Sequence, residues 1–151
     1  MKNWIQVKGL VKPGHGVASG ISGNPRFPGG TIAMQKPVFQ ALGLNLNGYF
    51  RGTINFSIAP QRYEIRNAKH TFKNVKWSPK DPAEDFSFFD CRISVNKNET
   101  IDGLIYYPHP ETKPEHFQSP DILEIMMPFI SGLKYGDELM MEVNSQQLMI
   151  K

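Results

Sequence analysis

Two short stretches of this chain carry oxygen donors at spacings that do chemistry. In Gly52-Thr53-Ile54-Asn55, Thr53 and Asn55 stand two residues apart. On an extended strand they share one face, about 6–7 Å apart. A hydroxyl oxygen and an amide oxygen are neutral ligands, and they suit Mg²⁺ when substrate phosphates bring most of the negative charge. The same pair is equally at home on the solvated face of an antiparallel sheet. The second stretch is Pro120-Asp121-Ile122-Leu123-Glu124-Ile125-Met126-Met127-Pro128. If Leu123, Ile125 and Met127 face a core, Glu124 projects with Ile122 and Met126. Desolvation among apolar neighbours raises a carboxyl pKa and prepares it to act as a base. The alternative for Glu124 is an ordinary solvent-facing strand residue.

A third candidate is Pro13-Gly14-His15-Gly16-Val17-Ala18-Ser19-Gly20, the start of a Gly- and Pro-rich run that continues to Gly30. Without side chains in the way, backbone N–H groups of such a loop can close on phosphates. It is neither a P-loop nor a dinucleotide fingerprint, because the lysine of the first and the third glycine of the second are missing. A plain flexible loop is the alternative. His15, His70, His109 and His116 show no zinc spacing, and no serine-hydrolase elbow is present. The single cysteine, Cys91, excludes an intramolecular disulfide and lies in an alternating apolar run. That context predicts a buried structural thiol.

Short strands must position these residues. The 13 Gly and 12 Pro break the chain into pieces with almost no sustained helical period, which predicts an all-β barrel or sandwich. Strands are expected at Trp4–Val11, Arg51–Ile58, Phe86–Val95, Ile101–Tyr107, Leu123–Met127 and Leu139–Val143. In the first, Ile5, Val7 and Val11 face inward. In the second, Gly52, Ile54, Phe56 and Ile58 oppose Thr53, Asn55 and Ser57. A short helix is expected with Pro37 in its first turn, Val38, Phe39, Ala41 and Leu42 as its apolar face, and Gly43 as its end. Thr71–Ala83, polar and Pro-containing, reads as a surface excursion. Tyr135-Gly136-Asp137-Glu138 is a turn signal.

At 151 residues with 40% apolar content, the chain is expected to form one domain over 1–151 with its own core. The net charge of +3 is spread over the chain. It favours an anionic ligand, but no Lys/Arg run marks a nucleic-acid surface. No segment approaches a membrane span or a signal-peptide core. The lone cysteine suits a reducing compartment, so a cytoplasmic protein is expected, with no nucleic acid or membrane among its partners.

Taken in order, these pieces resemble the archaeal CTP-dependent riboflavin kinases, which adopt a six-stranded cradle-loop barrel. The resemblance runs through Val7-Lys8-Gly9-Leu10-Val11-Lys12-Pro13-Gly14-His15-Gly16, the helix end Phe39-Gln40-Ala41-Leu42-Gly43 and the strand Gly52-Thr53-Ile54-Asn55. It continues through Asp102-Gly103-Leu104-Ile105-Tyr106-Tyr107-Pro108, the Glu-containing strand Ile122–Pro128 and the turn Leu133-Lys134-Tyr135-Gly136-Asp137. It implies a mainly β, six-stranded barrel with one or two short helices. It also implies a nucleotide-dependent kinase that converts riboflavin to FMN, with CTP as donor and Mg²⁺ as cofactor. Thr53 and Asn55 would hold the metal. Gly14, His15, Gly16, Val17, Ala18 and Ser19 would lie along the nucleotide phosphates. Thr112, matched across extra residues to a family threonine, would join them. Glu124 would contact the ribityl end of the flavin as the catalytic group. The chain departs from the family where the first loop lacks an acid and an Arg, and where Phe129-Ile130-Ser131-Gly132 replaces a Leu-Arg-containing segment. A non-catalytic barrel that binds a flavin, nucleotide or other small ligand is the alternative.

Overall fold

The computed structural model describes residues 3–12, 31–50, 53–79, 82–96, 98–112, 119–130 and 133–151. Alternation of apolar and polar residues yields β1 (Trp4–Lys12), β2 (Ile54–Ser57), β5 (Glu84–Asn96), β6 (Glu99–Pro108), β7 (Ile122–Met126) and β8 (Glu138–Asn144). Three further strands, β3 (Tyr63–Ile65), β4 (His70–Val75) and β9 (Leu148–Ile150), join them, with one helix, α1 (Thr31–Ala41). The main sheet runs β4-β5-β6-β7-β2-β1-β8, and β8 pairs back onto β5. The six strands β5, β6, β7, β2, β1 and β8 therefore close into a ring, the expected mainly β barrel. All of its pairings are antiparallel. Strands β3 and β9 form a small second sheet.

Closure depends on the length of β5, whose 13 residues pair with β6 and also, over Cys91–Ser94, with β8. Both faces of β5 are covered. Phe89, Cys91 and Ile93 enter the barrel interior with Val7, Phe56, Ile125, Met141 and Val143. Phe86 and Phe88 point outward, under Ile32 and Phe39 of α1. Burying each such side chain contributes about 1.5–3 kcal/mol. Two glycines permit the close approach of strands. A Cβ on Gly9 would stand 2.6 Å from the Ser57 carbonyl and on the Phe56 ring, and one on Gly103 would stand 2.9 Å from the Met126 carbonyl.

Several local expectations change. Pro37 lies inside α1 rather than in its first turn. The buried side of the helix starts earlier, with Ile32 and Gln35 joining Phe39 at spacings of three and four residues. Its end is as expected. Gly43 adopts φ 102°, its N–H bonds the Gln40 carbonyl, and the Leu44 N–H bonds the Phe39 carbonyl at 3.0 Å, a Schellman motif. The segment Thr71–Ala83 is not merely a surface excursion. It supplies most of β4 and buries Val75 and Trp77 in the outer cluster. Asn74, at φ 55°, breaks the register between Phe72 and Val75, which hides the two-residue period. Ile5, expected inside, is 39% exposed at the barrel end. No helix among the described residues is long and apolar enough to cross a membrane.

Candidate functional site

Strands β2 and β7 lie side by side with Asn55 opposite Glu124, and Tyr106 of β6 stands opposite Glu124 on its other side. Ile54, Phe56, Leu123 and Ile125 take the inward positions of β2 and β7. Thr53, Asn55 and Glu124 therefore share the outward face. The Thr53 hydroxyl donates to Glu124 Oε1 at 3.3 Å across 71 residues of sequence. All three side chains are half-buried. Directly opposed strand residues have Cβ atoms about 4.5–5.5 Å apart, so a hydroxyl, an amide and a carboxylate converge on one small patch.

Glu124 also lines a cavity of about 330 Å³ between β3 and the β6–β7 pair, together with Tyr63, Tyr107, Pro108, Pro110 and Ile122. The Tyr63 and Tyr107 rings meet edge to face at 6.3 Å. Burial, then Tyr107 and the negative charge of Glu124, push the Tyr63 phenol up. Burial also holds the Tyr106 phenol well above its usual range; Glu124 and Glu84 add to the rise, and the hydrogen bond to Gln35 offsets part of it. Tyr106 donates that bond to Gln35 Oε1 at 2.6 Å. Both phenols therefore stay protonated at neutral pH, and the one hydroxyl proton of Tyr106 is committed to Gln35.

Among the described residues, no group of three or more His, Cys, Asp or Glu side chains could hold a metal ion. The Thr53–Asn55–Glu124 patch offers one carboxylate and two neutral oxygen donors. That set fits a hard divalent cation whose remaining ligands are phosphate oxygens and water, and it is too weakly charged to hold such an ion alone.

Thr112 is not in this patch. Its hydroxyl accepts from the Asp85 N–H at 2.9 Å and donates to the His109 carbonyl, closing the turn after β6. Gly14, His15, Gly16, Val17, Ala18 and Ser19 lie outside the described residues, as does Gly52. The tyrosines of the cavity carried no sequence signal as site residues. Tyr63 sits in a strand of three residues, too short to display a period. Ser87, His109 and Glu111 form a separate chain, with Ser87 Oγ 2.7 Å from His109 Nε2 and His109 Nδ1 3.1 Å from Glu111 Oε1. Ser87 is 2% exposed and its strand is paired on both sides at this position, so the chain fastens the β5–β6 end rather than presenting a nucleophile. Compared with known proteins, the sequence matches no protein-family model and no curated protein.

Proposed function

We propose that this barrel is a riboflavin kinase-like phosphotransferase that moves the terminal phosphoryl group of a nucleoside triphosphate, CTP by the resemblance, onto riboflavin. One observation carries the reading: Glu124 belongs both to the oxygen-donor patch with Thr53 and Asn55 and to the wall of a largely apolar cavity. Phosphoryl transfer needs that juxtaposition, with charge neutralisation on one side and a seated acceptor on the other. The cavity falls within the size range of small-molecule sites, about 300–1,000 Å³. Its aromatic wall suits a planar ring system.

In this reading Thr53 and Asn55 hold the cation, which when bound neutralises the donor phosphates. By the resemblance, the Gly14–Ser19 stretch, outside the described residues, would lie along the same phosphates. Glu124 accepts the proton of the ribityl primary hydroxyl as its oxygen bonds to the terminal phosphorus. The bond from that phosphorus to the bridging oxygen breaks, and the nucleoside diphosphate leaves. Tyr63 and Tyr107 seat the acceptor and exclude water.

The test is conversion of riboflavin to FMN with CTP, ATP, GTP and UTP supplied separately, for wild type, Asn55→Ala and Glu124→Gln. Turnover that collapses in both variants supports the kinase reading. The uncharged Phe129-Ile130 segment favours a second reading, a barrel that binds flavin or nucleotide without transfer. Binding by wild type without turnover assigns that role, and no binding of any of these ligands overturns both.

A further inference from the structure

We infer that the backbone N–H and C=O of Ile65 form a two-point reader for the cyclic imide edge of the acceptor's ring system. The inference rests on the reading of the cavity as the riboflavin site. It names the edge of the flavin that is recognised and the groups that recognise it.

The register of β3 fixes where these groups point. Arg62 and Lys151 exchange both backbone hydrogen bonds, at 3.0 and 2.8 Å, and the Arg66 N–H bonds the Gln147 carbonyl at 2.8 Å. Even-numbered residues along β3 therefore bond β9, and Ile65 with Leu148 is a non-hydrogen-bonded pair. The Ile65 N–H and C=O leave on the other edge of the strand. That edge faces the cavity. Two residues back along it, the Tyr63 N–H reaches the Pro120 carbonyl at 3.0 Å, and Tyr63, Ile65 and Pro120 all line the cavity. Among the described residues, neither backbone group of Ile65 takes a hydrogen-bond partner. The residue is 37% exposed, so a ligand can reach it.

An extended residue directs its N–H and C=O side by side, one donor beside one acceptor. A cyclic amide answers with its own C=O and N–H, and the pyrimidine-type ring of riboflavin carries such an edge at N3. A peptide strand is a poorer occupant, because it bonds every second residue of an edge. Here Tyr63 is committed to Pro120, and the Asn67 N–H to the Gln147 carbonyl at 3.1 Å. The imide lies at one end of the flavin and the ribityl chain leaves from its middle ring. An imide held at Ile65 thus leaves the chain free to turn to Glu124, which lines the same cavity.

Fluorescence titration of riboflavin and N3-methylriboflavin against the full chain, with uridine as competitor, tests this. N3-methylation removes the imide donor and is expected to weaken binding to wild type about 10-fold. Ile65→Pro removes the N–H, breaks no bond to β9 and suits a strand edge. It is expected to weaken riboflavin about 10-fold and to leave the affinity for N3-methylriboflavin as in wild type. If Ile65→Pro does not fold, as read from urea unfolding, the comparison of the two flavins on wild type decides alone. N3-methylriboflavin bound as tightly as riboflavin, or unchanged riboflavin affinity in folded Ile65→Pro, overturns the inference. The kinase reading then stands if FMN is still formed. Uridine carries the same imide on a single ring, and displacement of riboflavin by it assigns the edge to a nucleoside and overturns the flavin assignment. Wild type that binds no flavin overturns both.

Discussion

Thr53 and Glu124 meet across the β2–β7 pair, hydroxyl to carboxylate at 3.3 Å. The bond orients the carboxylate without neutralising it, since a neutral donor leaves the negative charge in place. Asn55 flanks the same carboxylate from the facing strand. One side chain thereby belongs both to the oxygen-donor patch and to the cavity wall.

Glu124→Gln keeps the size and the ability to accept from Thr53 but removes the base. In the kinase reading, kcat for FMN formation falls about 10²–10⁴-fold, while the urea midpoint hardly moves because the residue is half-buried. Thr53→Val removes the donor and costs about 0.5–1.5 kcal/mol of stability. In the kinase reading it also raises the Mg²⁺ concentration needed for half-maximal turnover. A Glu124→Gln enzyme with wild-type kcat defeats the assignment of Glu124 as base.

Gly103 and Cys91 are register partners on β6 and β5, and a Cβ on Gly103 would lie 2.9 Å from the Met126 carbonyl and 3.4 Å from Cys91 Sγ. Backbone cannot yield as a flexible side chain does. Gly103→Ala therefore destabilises by about 1–3 kcal/mol, the usual cost of overpacking, read from urea unfolding. Gly136→Ala, where a Cβ meets nothing within 4 Å but φ is 91°, is destabilised by backbone strain alone. There Gly136 takes the third position of a turn closed by Asp137 N–H to the Lys134 carbonyl at 3.1 Å.

Tyr106 and Gln35 form a buried hydrogen bond of 2.6 Å between β6 and α1. Tyr106→Phe preserves the ring contacts with Phe86 and Phe88 but removes the donor to Gln35, itself 2% exposed. A loss of about 1–3 kcal/mol follows from the orphaned acceptor. Combining it with Gln35→Leu recovers most of that loss, because an apolar pair leaves nothing unsatisfied. A double mutant no more stable than Tyr106→Phe contradicts this account.

Much of the barrel was legible because its ring strands alternate cleanly. Ile54, Phe56, Leu123 and Ile125 mark the inside and, by exclusion, Thr53, Asn55 and Glu124 the outside. What stayed hidden lacked a period. Asn74 interrupts β4 with a left-handed residue, and β3 and β9 have three residues each. Phe86, Phe88 and Phe89 are all buried because α1 covers the outer face of β5, a tertiary fact that β5 alone does not disclose. The meeting of Thr53 with Glu124 depends on pairing between distant strands. Alternation shows which face a residue takes, but not which strand becomes its neighbour.

Cys91 sets the last prediction. Its thiol is 2% exposed in the barrel interior, on the part of β5 that pairs with both Gly103 and Val143. Burial pushes the thiol up from its ordinary 9.0, Asp90 and Asp102 push further, and a hydrogen bond from the Gly103 backbone offsets part of the rise. The folded protein therefore keeps the proton that an unfolded chain releases above about pH 9. Above that pH the unfolded state binds fewer protons than the folded state, so unfolding free energy falls as pH rises. The slope approaches about 1.4 kcal/mol per pH unit for one proton. Tyr63 and Tyr106, raised from an ordinary 10.0, steepen the fall from about pH 10. Urea unfolding between pH 8 and 10.5 should show stability level below pH 9 and declining above it. In Cys91→Ala the onset moves up towards pH 10, although the whole curve lies lower because of the lost side-chain volume. A thiol reagent at pH 8 should label wild type only as fast as it unfolds. Native labelling at a free-thiol rate, or stability flat to pH 10.5, refutes a buried, protonated Cys91.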